Sequence, residues 1–255
     1  MTPLLSVPGA DVYHSSHLEL ASLLAEQQEA VDAVIVDAPY SAKTHEGTDA
    51  AERDVRRSGI EAWGGRASII GRPLPYAKWS ASDVSDFVAA WAPVCRGWFV
   101  SLTDDVLMPV WKEALADAGM TTFQDVPAII TGMTVRLAGD GPSSWAIHCV
   151  VARPKRLHKW GTLPGAYVLP ASRNAIVGGK PLELMRALVR DYSRPGDLVC
   201  DPCMGAGTTL SAARIEGRRA IGCDIDLAHA NLAATALSGR GGGDGKQPSL
   251  FTEAT

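Results

Sequence analysis

Two short peptides hold the side chains in this sequence that could do chemistry. The first is Asp37-Ala38-Pro39-Tyr40. A carboxylate beside a backbone carbonyl can accept both N–H bonds of an exocyclic amino group. Such a nitrogen is a poor nucleophile while its lone pair is delocalised into a base. Two acceptors localise the pair and favour a tetrahedral nitrogen. The ring of Tyr40 can stack on a base taken out of its helix. The same four residues also read as a strand-end acid followed by a turn proline, and the peptide alone does not separate the two.

The second peptide is Leu198-Val-Cys-Asp-Pro-Cys-Met-Gly-Ala-Gly-Thr-Thr209. A buried strand ends in Asp201 and opens into Gly205-x-Gly207, where glycines let backbone N–H groups approach a ligand. Asp224, nineteen residues after Gly205, ends the next strand and could accept both hydroxyls of a ribose. A dinucleotide loop would want a glycine where Leu210 stands, and a phosphate-binding loop would want Gly-Lys-Ser/Thr, a triplet the sequence lacks. An acid ahead of the glycines suits a cationic ligand, and S-adenosylmethionine, with its amino group and sulfonium, fits. A plain structural turn is the competing reading. Cys200 and Cys203 form a C-x-x-C pair without a second pair, so no metal is expected.

These peptides need strands to end where they begin. Val31–Val36 is a short β-branched run that reads as a buried parallel strand. Strands are expected also at 97–102, 128–135, 145–152, 198–201 and 219–224. Helices are expected at 82–91, 105–118, 181–192 with Pro181 in its first position, 208–216 and 227–237. Gly139-Asp-Gly-Pro142 suggests a hairpin turn, and 41–80 and 153–179 read as loops. Strands alternating with helices imply an α/β fold with a mostly parallel sheet, helices on both faces and an antiparallel hairpin strand.

Taken together, the two peptides resemble the amino-DNA methyltransferases, which modify adenine N6 or cytosine N4. Asp37-Ala38-Pro39-Tyr40 is similar to their (Asp/Asn/Ser)-Pro-Pro-(Tyr/Phe) motif, and Asp201-Pro202-Cys203-Met-Gly205-Ala-Gly207-Thr208 to their Asp-Pro-Phe-x-Gly-x-Gly-Thr motif. Lys180-Pro181 resembles the Lys-Pro pair that opens the preceding helix, Gly222-Cys-Asp224 a Gly-x-Glu strand end, and Cys95–Val100 the fifth strand. The resemblance covers roughly 31–237, in the circularly permuted order of the β subgroup. It implies a Rossmann-like class I fold, S-adenosylmethionine as cofactor, and in-line methyl transfer to a flipped base. Cofactor contacts would fall on Lys180, Asp201, Pro202, Cys203, Gly205, Gly207, Thr208, Thr209 and Asp224. Asp at position 37 points to adenine N6, with cytosine N4 or an RNA target as the alternative. Ala38 replaces a proline, Cys203 a phenylalanine, and Ser15-Ser16 a Gly-Asp pair. With no large recognition module in view, a catalytically impaired DNA-binding protein is the reading from another class.

Charge is uneven. The formal net charge is −4, yet Arg153–Arg194 holds nine Lys/Arg against two acids, leaving eleven net negative charges elsewhere. Local basic patches can steer a polyanion when the total is negative. Double-stranded DNA contacts are therefore expected from Arg53, Arg56, Arg57, Arg66 and Arg72 in one loop and from Lys155, Arg156, Lys159 and Arg173 in the other. A flexible tail, 238–255, carries Gln247, Leu250 and Phe251 in a peptide resembling those that dock on the bacterial sliding clamp. The body divides into a catalytic half (1–152), a target-recognition candidate (153–179) and a cofactor half (180–237). Sparse cysteines and the absence of a spanning apolar run or a secretory start give an expected cytoplasmic protein with no membrane partner; a dimer is a candidate state that these features do not bear on.

Overall fold

The computed structural model describes residues 1–44, 77–131, 145–157, 160–170 and 179–239. Among the described residues ten strands run β1 (Leu5–Val7), β2 (Ala10–His14), β3 (Val31–Asp37), β4 (Cys95–Thr103), β5 (Met120–Thr122), β6 (Val126–Thr131), β7 (Ala146–Pro154), β8 (Tyr167–Pro170), β9 (Leu198–Asp201) and β10 (Arg219–Asp224). The described helices are α1 (His17–Glu26), α2 (Ala81–Trp91), α3 (Met108–Asp117), α4 (Leu182–Tyr192), α5 (Thr208–Ile215) and α6 (Leu227–Ser238). One sheet takes the order β1-β2-β10-β9-β3-β4-β7-β6-β8, with β5 beside β6 on the far edge of β7. From β2 to β4 every neighbour is parallel; β7 then runs antiparallel to β4 and β6.

The apolar run of β3 shows why the sheet is covered twice. Ala33 and Ile35 face a layer made by α4, α5 and α6, through Leu184, Leu188, Leu210, Ala213 and Ala233. Val34 and Val36 face the opposite layer, made by α1, α2 and α3, through Leu20, Leu24, Phe87, Trp91 and Trp111. A strand buried on both sides has no polar alternation to show. Two helices start on reciprocal caps: Ser16 N donates to Glu19 at 2.8 Å, and Ser80 N to Asp83 at 2.7 Å.

The winding order of the strands reverses between the parallel neighbours β3 and β9. The chain leaves β9 through α5 toward β10 and leaves β3 through α2 toward β4, so the two connections cover opposite faces. A crevice opens where such connections part, outside the strand C-termini. Asp32 closes the opposite end, accepting from Leu198 N at 2.9 Å and Arg96 Nε at 2.6 Å.

Several sequence expectations need correcting. The 153–179 segment is not a loop throughout: β7 extends to Pro154, and Tyr167–Pro170 pairs in parallel with β6. Pro181 is the N-cap of α4, not its first helical residue. The helix expected from 105 starts at Met108, because Asp104 Oδ1 accepts from Val106 N and Leu107 N and holds 104–107 as a turn. The hairpin turn at 139–142 lies outside the described residues. No helix among the described residues is long and apolar enough to cross a membrane.

Candidate active site

The loop after β9 is shaped by its own backbone. Gly205 and Gly207 take φ of 52° and 77°, a left-handed region that residues with a Cβ enter at a cost of roughly 1–2 kcal/mol. Gly207 N donates to Met204 O at 2.8 Å, and Met204 N to Cys223 O at 3.0 Å, which ties the turn to β10. Asp201 is 1% exposed and holds the turn from inside, accepting from Cys203 N at 3.1 Å and from the Thr209 hydroxyl. Burial pushes its carboxyl up to about 7, against those two hydrogen bonds. Asp224, at the tip of β10, accepts from Gly205 N at 2.9 Å and Asp226 N at 2.8 Å.

The loop after β3 is the other wall. Lys180, just ahead of α4, donates to Asp37 Oδ2 at 2.6 Å, and its ammonium stands 4.9 Å from the Tyr40 ring centroid. Asp37 Oδ1 is buried and holds no hydrogen bond. Burial raises the Asp37 carboxyl above its ordinary range, while Lys180 and the Tyr40 hydroxyl pull it down. Beyond Tyr40 the chain is stapled. Ser41 N and Oγ donate to Asp104 Oδ2 at 2.9 and 2.6 Å, Thr44 Oγ1 donates to the same oxygen at 2.7 Å, and Trp79 N donates to Tyr40 O at 3.0 Å. Those hydrogen bonds hold the Asp104 carboxyl below its usual range.

Both walls line one cavity of about 530 Å³. Its lining includes Asp37, Ala38, Pro39 and Tyr40 with Lys180, Asp201, Pro202, Cys203, Gly205, Thr208, Thr209 and Asp224. Twelve of the thirteen residues expected from sequence thus meet there, from strand tips far apart in the chain. Gly207 is the exception. It packs against α6, where a Cβ would come 2.8 Å from that of Ala233. Asp37, Asp201, Asp224 and Asp226 all border the space, and Lys180 is the one Lys or Arg among its described lining residues. That acidic set fits a cationic ligand.

The structure also adds residues to which the sequence reading assigned no role in the site. Ser16, His17, Trp79, Ile225, Asp226 and His229 line the cavity, and Ile225 is 77% exposed. His17 packs against Phe87 at 4.8 Å between ring centroids, and burial lowers its pKa. A signal for the first of them existed: Ser16-x-x-Glu19 is a helix-start pattern. Nothing in the sequence marked Asp104, sixty-three residues from Ser41.

The expected DNA contacts divide differently. Arg53, Arg56, Arg57, Arg66, Arg72, Lys159 and Arg173 lie outside the described residues, as do Gln247, Leu250 and Phe251. Lys155 and Arg156 follow the far end of β7. Its catalytic end is His148, opposite Thr103, and at ~3.3 Å per residue Lys155 is roughly 23 Å away along the strand. The structure does not bring this pair to the cavity.

Residues 161–235 match a family model described as DNA methylase. Type II methyltransferase M1.MboII of Moraxella bovis is 42% identical over 59 residues, 23% of this chain and 23% of the relative, so the match spans about a quarter of that protein. Among solved structures, M1.HpyAVI in complex with SAM superposes with a TM-score of 0.66 at 18% identity, over 89% of this chain and 98% of the other. The cytosine-N4-specific PvuII DNA methyltransferase superposes with a TM-score of 0.58 at 14% identity, over 91% of this chain and 88% of the other. The fold is thus the class I methyltransferase fold, carrying the mostly parallel sheet and two helical layers described above.

Proposed function

We propose that this chain, a member of the amino-DNA methyltransferase family whose products are N6-methyladenine or N4-methylcytosine, methylates adenine N6 in duplex DNA with S-adenosylmethionine as donor. One observation carries the reading: the Asp37–Tyr40 peptide and the 201–209 loop, on neighbouring strand tips, line a single cavity. S-adenosylmethionine supplies, when bound, an electrophilic methyl group on a sulfonium. The residues present suit it. Asp201 keeps the glycine turn in shape, Gly205 brings backbone without a side chain to the cavity wall with its N–H held by Asp224, and Asp224 keeps lone pairs for ribose hydroxyls beyond the two amides it already accepts. Exposed Ile225 gives an apolar face at the rim.

The remaining wall handles the amine. Asp37 Oδ1 and the Ala38 carbonyl accept its two N–H bonds, which localises the lone pair on nitrogen. Tyr40 provides the surface for a flipped base, and the Asp104 staple keeps Tyr40 at the cavity edge. Ala38 is 3% exposed and its carbonyl is retained, so losing one proline ring does not dismantle the acceptor pair. Asp rather than Ser at position 37 supports adenine.

The test is incorporation of radiolabelled methyl groups into unmethylated duplex DNA by the wild type and by Asp37→Asn, followed by digestion to nucleosides and chromatography. Label in N6-methyladenine that depends on Asp37 is the expected result. Label in N4-methylcytosine overturns the base assignment. DNA binding without incorporation favours the non-enzymatic reading.

A further inference from the structure

We propose that Lys180 is a positioning residue for Asp37, not a holder of the methyl donor as its place in the sequence suggests: by occupying one carboxylate oxygen it reserves the other for the substrate amine. This rests on the reading of the cleft given above. The ammonium is 2.6 Å from Oδ2 and 4.9 Å from the Tyr40 ring centroid, so one cation touches both the acceptor acid and the stacking ring. Its side chain is 10% exposed, and it immediately precedes the cap of α4, whose packed face contributes Leu184, Leu188 and Tyr192 to the core. That anchoring gives the ammonium a defined origin. A carboxylate with one oxygen pinned cannot rotate, and buried Oδ1, which holds no hydrogen bond, is the acceptor left in the cavity.

The same contact sets the charge of Asp37. Among the described residues, the groups that face it are Lys180 and Tyr40, Asp201 and Cys203 of the loop after β9, and Cys149 of β7. Burial disfavours the carboxylate form, and among the described residues Lys180, with the Tyr40 hydroxyl, opposes it. A protonated Asp37 would offer one acceptor fewer to the amine. The acidic limb of methyl transfer therefore reports the ion pair.

The experiment compares wild type, Lys180→Gln, Lys180→Met and Lys180→Arg. Aspartate carboxyl carbons are labelled with ¹³C and titrated by NMR, with the Asp37 signal identified by its loss in Asp37→Asn. The neutral variants should raise the Asp37 midpoint by about one pH unit or more, a tenfold gain in proton affinity, and Arg should restore most of it. Calorimetry with S-adenosylmethionine should show a loss of affinity below about threefold. The acidic limb of single-turnover transfer should move upward with the NMR midpoint. An unshifted Asp37 titration in a neutral variant that melts like wild type overturns the proposal, as does a large loss of donor affinity with the titration unchanged. If the titration is coupled to Lys180 but wild type methylates no DNA, the functional reading fails and the positioning role stands.

Discussion

Replacing Gly207 with alanine separates two costs that meet at one atom. Gly207 has φ 77° and caps α5; a Cβ there would stand 2.8 Å from Ala233 Cβ and 3.1 Å from Ala233 Cα. Gly217, at φ 76°, has nothing within 4 Å of the equivalent position. Gly217→Ala therefore carries only the left-handed strain, roughly 1–2 kcal/mol. Gly207→Ala adds overpacking against α6 of about 1–3 kcal/mol, for a total of roughly 2–5. The loss of unfolded-state entropy that comes with any Gly→Ala change is shared and cancels in the comparison. With a urea m value of about 3 kcal/mol/M, the midpoint should fall by roughly 0.5 M for Gly217→Ala and by about 1 M or more for Gly207→Ala. Adding Ala233→Gly removes the nearer clash. Despite its own helix cost of about 1 kcal/mol, it should recover stability in the Gly207→Ala background while destabilising wild type. Equal losses for the two glycine variants, or additive behaviour in the cycle, would refute the packing argument.

Further outcomes follow from the buried acids. Asp201 has a folded pKa near 7 against an ordinary value near 4. The folded state thus binds the proton more tightly, so this group's contribution to stability is fully present below about pH 4 and is lost as pH rises through about 7. Asp201→Asn should flatten the fall in unfolding free energy over that window, on the order of a few kcal/mol, as measured by urea titrations at several pH values. Unchanged slopes would count against a neutral Asp201. Asp104→Asn removes the charge on which Ser41, Thr44 and the 106–107 amides converge. It should cost about 1.5–3 kcal/mol and slow methyl transfer severalfold while S-adenosylmethionine affinity stays within twofold, read by melts, single-turnover rates and calorimetry. Because the folded Asp104 pKa is depressed, its stabilisation is present above the unfolded value and is lost as pH falls through the folded one.

The central strands were readable because burial on both faces writes itself as continuous apolar sequence. β3, β9 and β10 begin and end within a residue of expectation. Helices with one polar face were readable for the same reason, and the glycine turn by its spacing. What escaped depends on partners distant in the chain. β1, β2 and α1 are short pieces whose patterns are weak until β10 supplies an edge for Ala10–His14. β8 is four residues inside a basic stretch, and only pairing with β6 makes it a strand. Lys180 was read as part of a cofactor motif, since nothing local shows that Asp37, 143 residues earlier, is within 2.6 Å. Lys155 and Arg156 are expected to contact DNA on charge alone, and their place relative to the cavity became visible only once the antiparallel run of β7 put them at the other end of the sheet.

The junction of β3 with β9 has a kinetic meaning. Ala33 pairs with Val199 and Val34 with Cys200, across a stretch of chain longer than many whole domains. Each half can gather most of its strands and helices from nearer partners, whereas the two pairings that join the halves, β3 with β9 and β2 with β10, require the slowest kind of closure, one spanning much of the polypeptide. A molecule stopped before that step would possess both motifs and no space between them. Affinity for the donor should accordingly emerge with the last phase of refolding, which makes ligand capture a timer for assembly of the molecule.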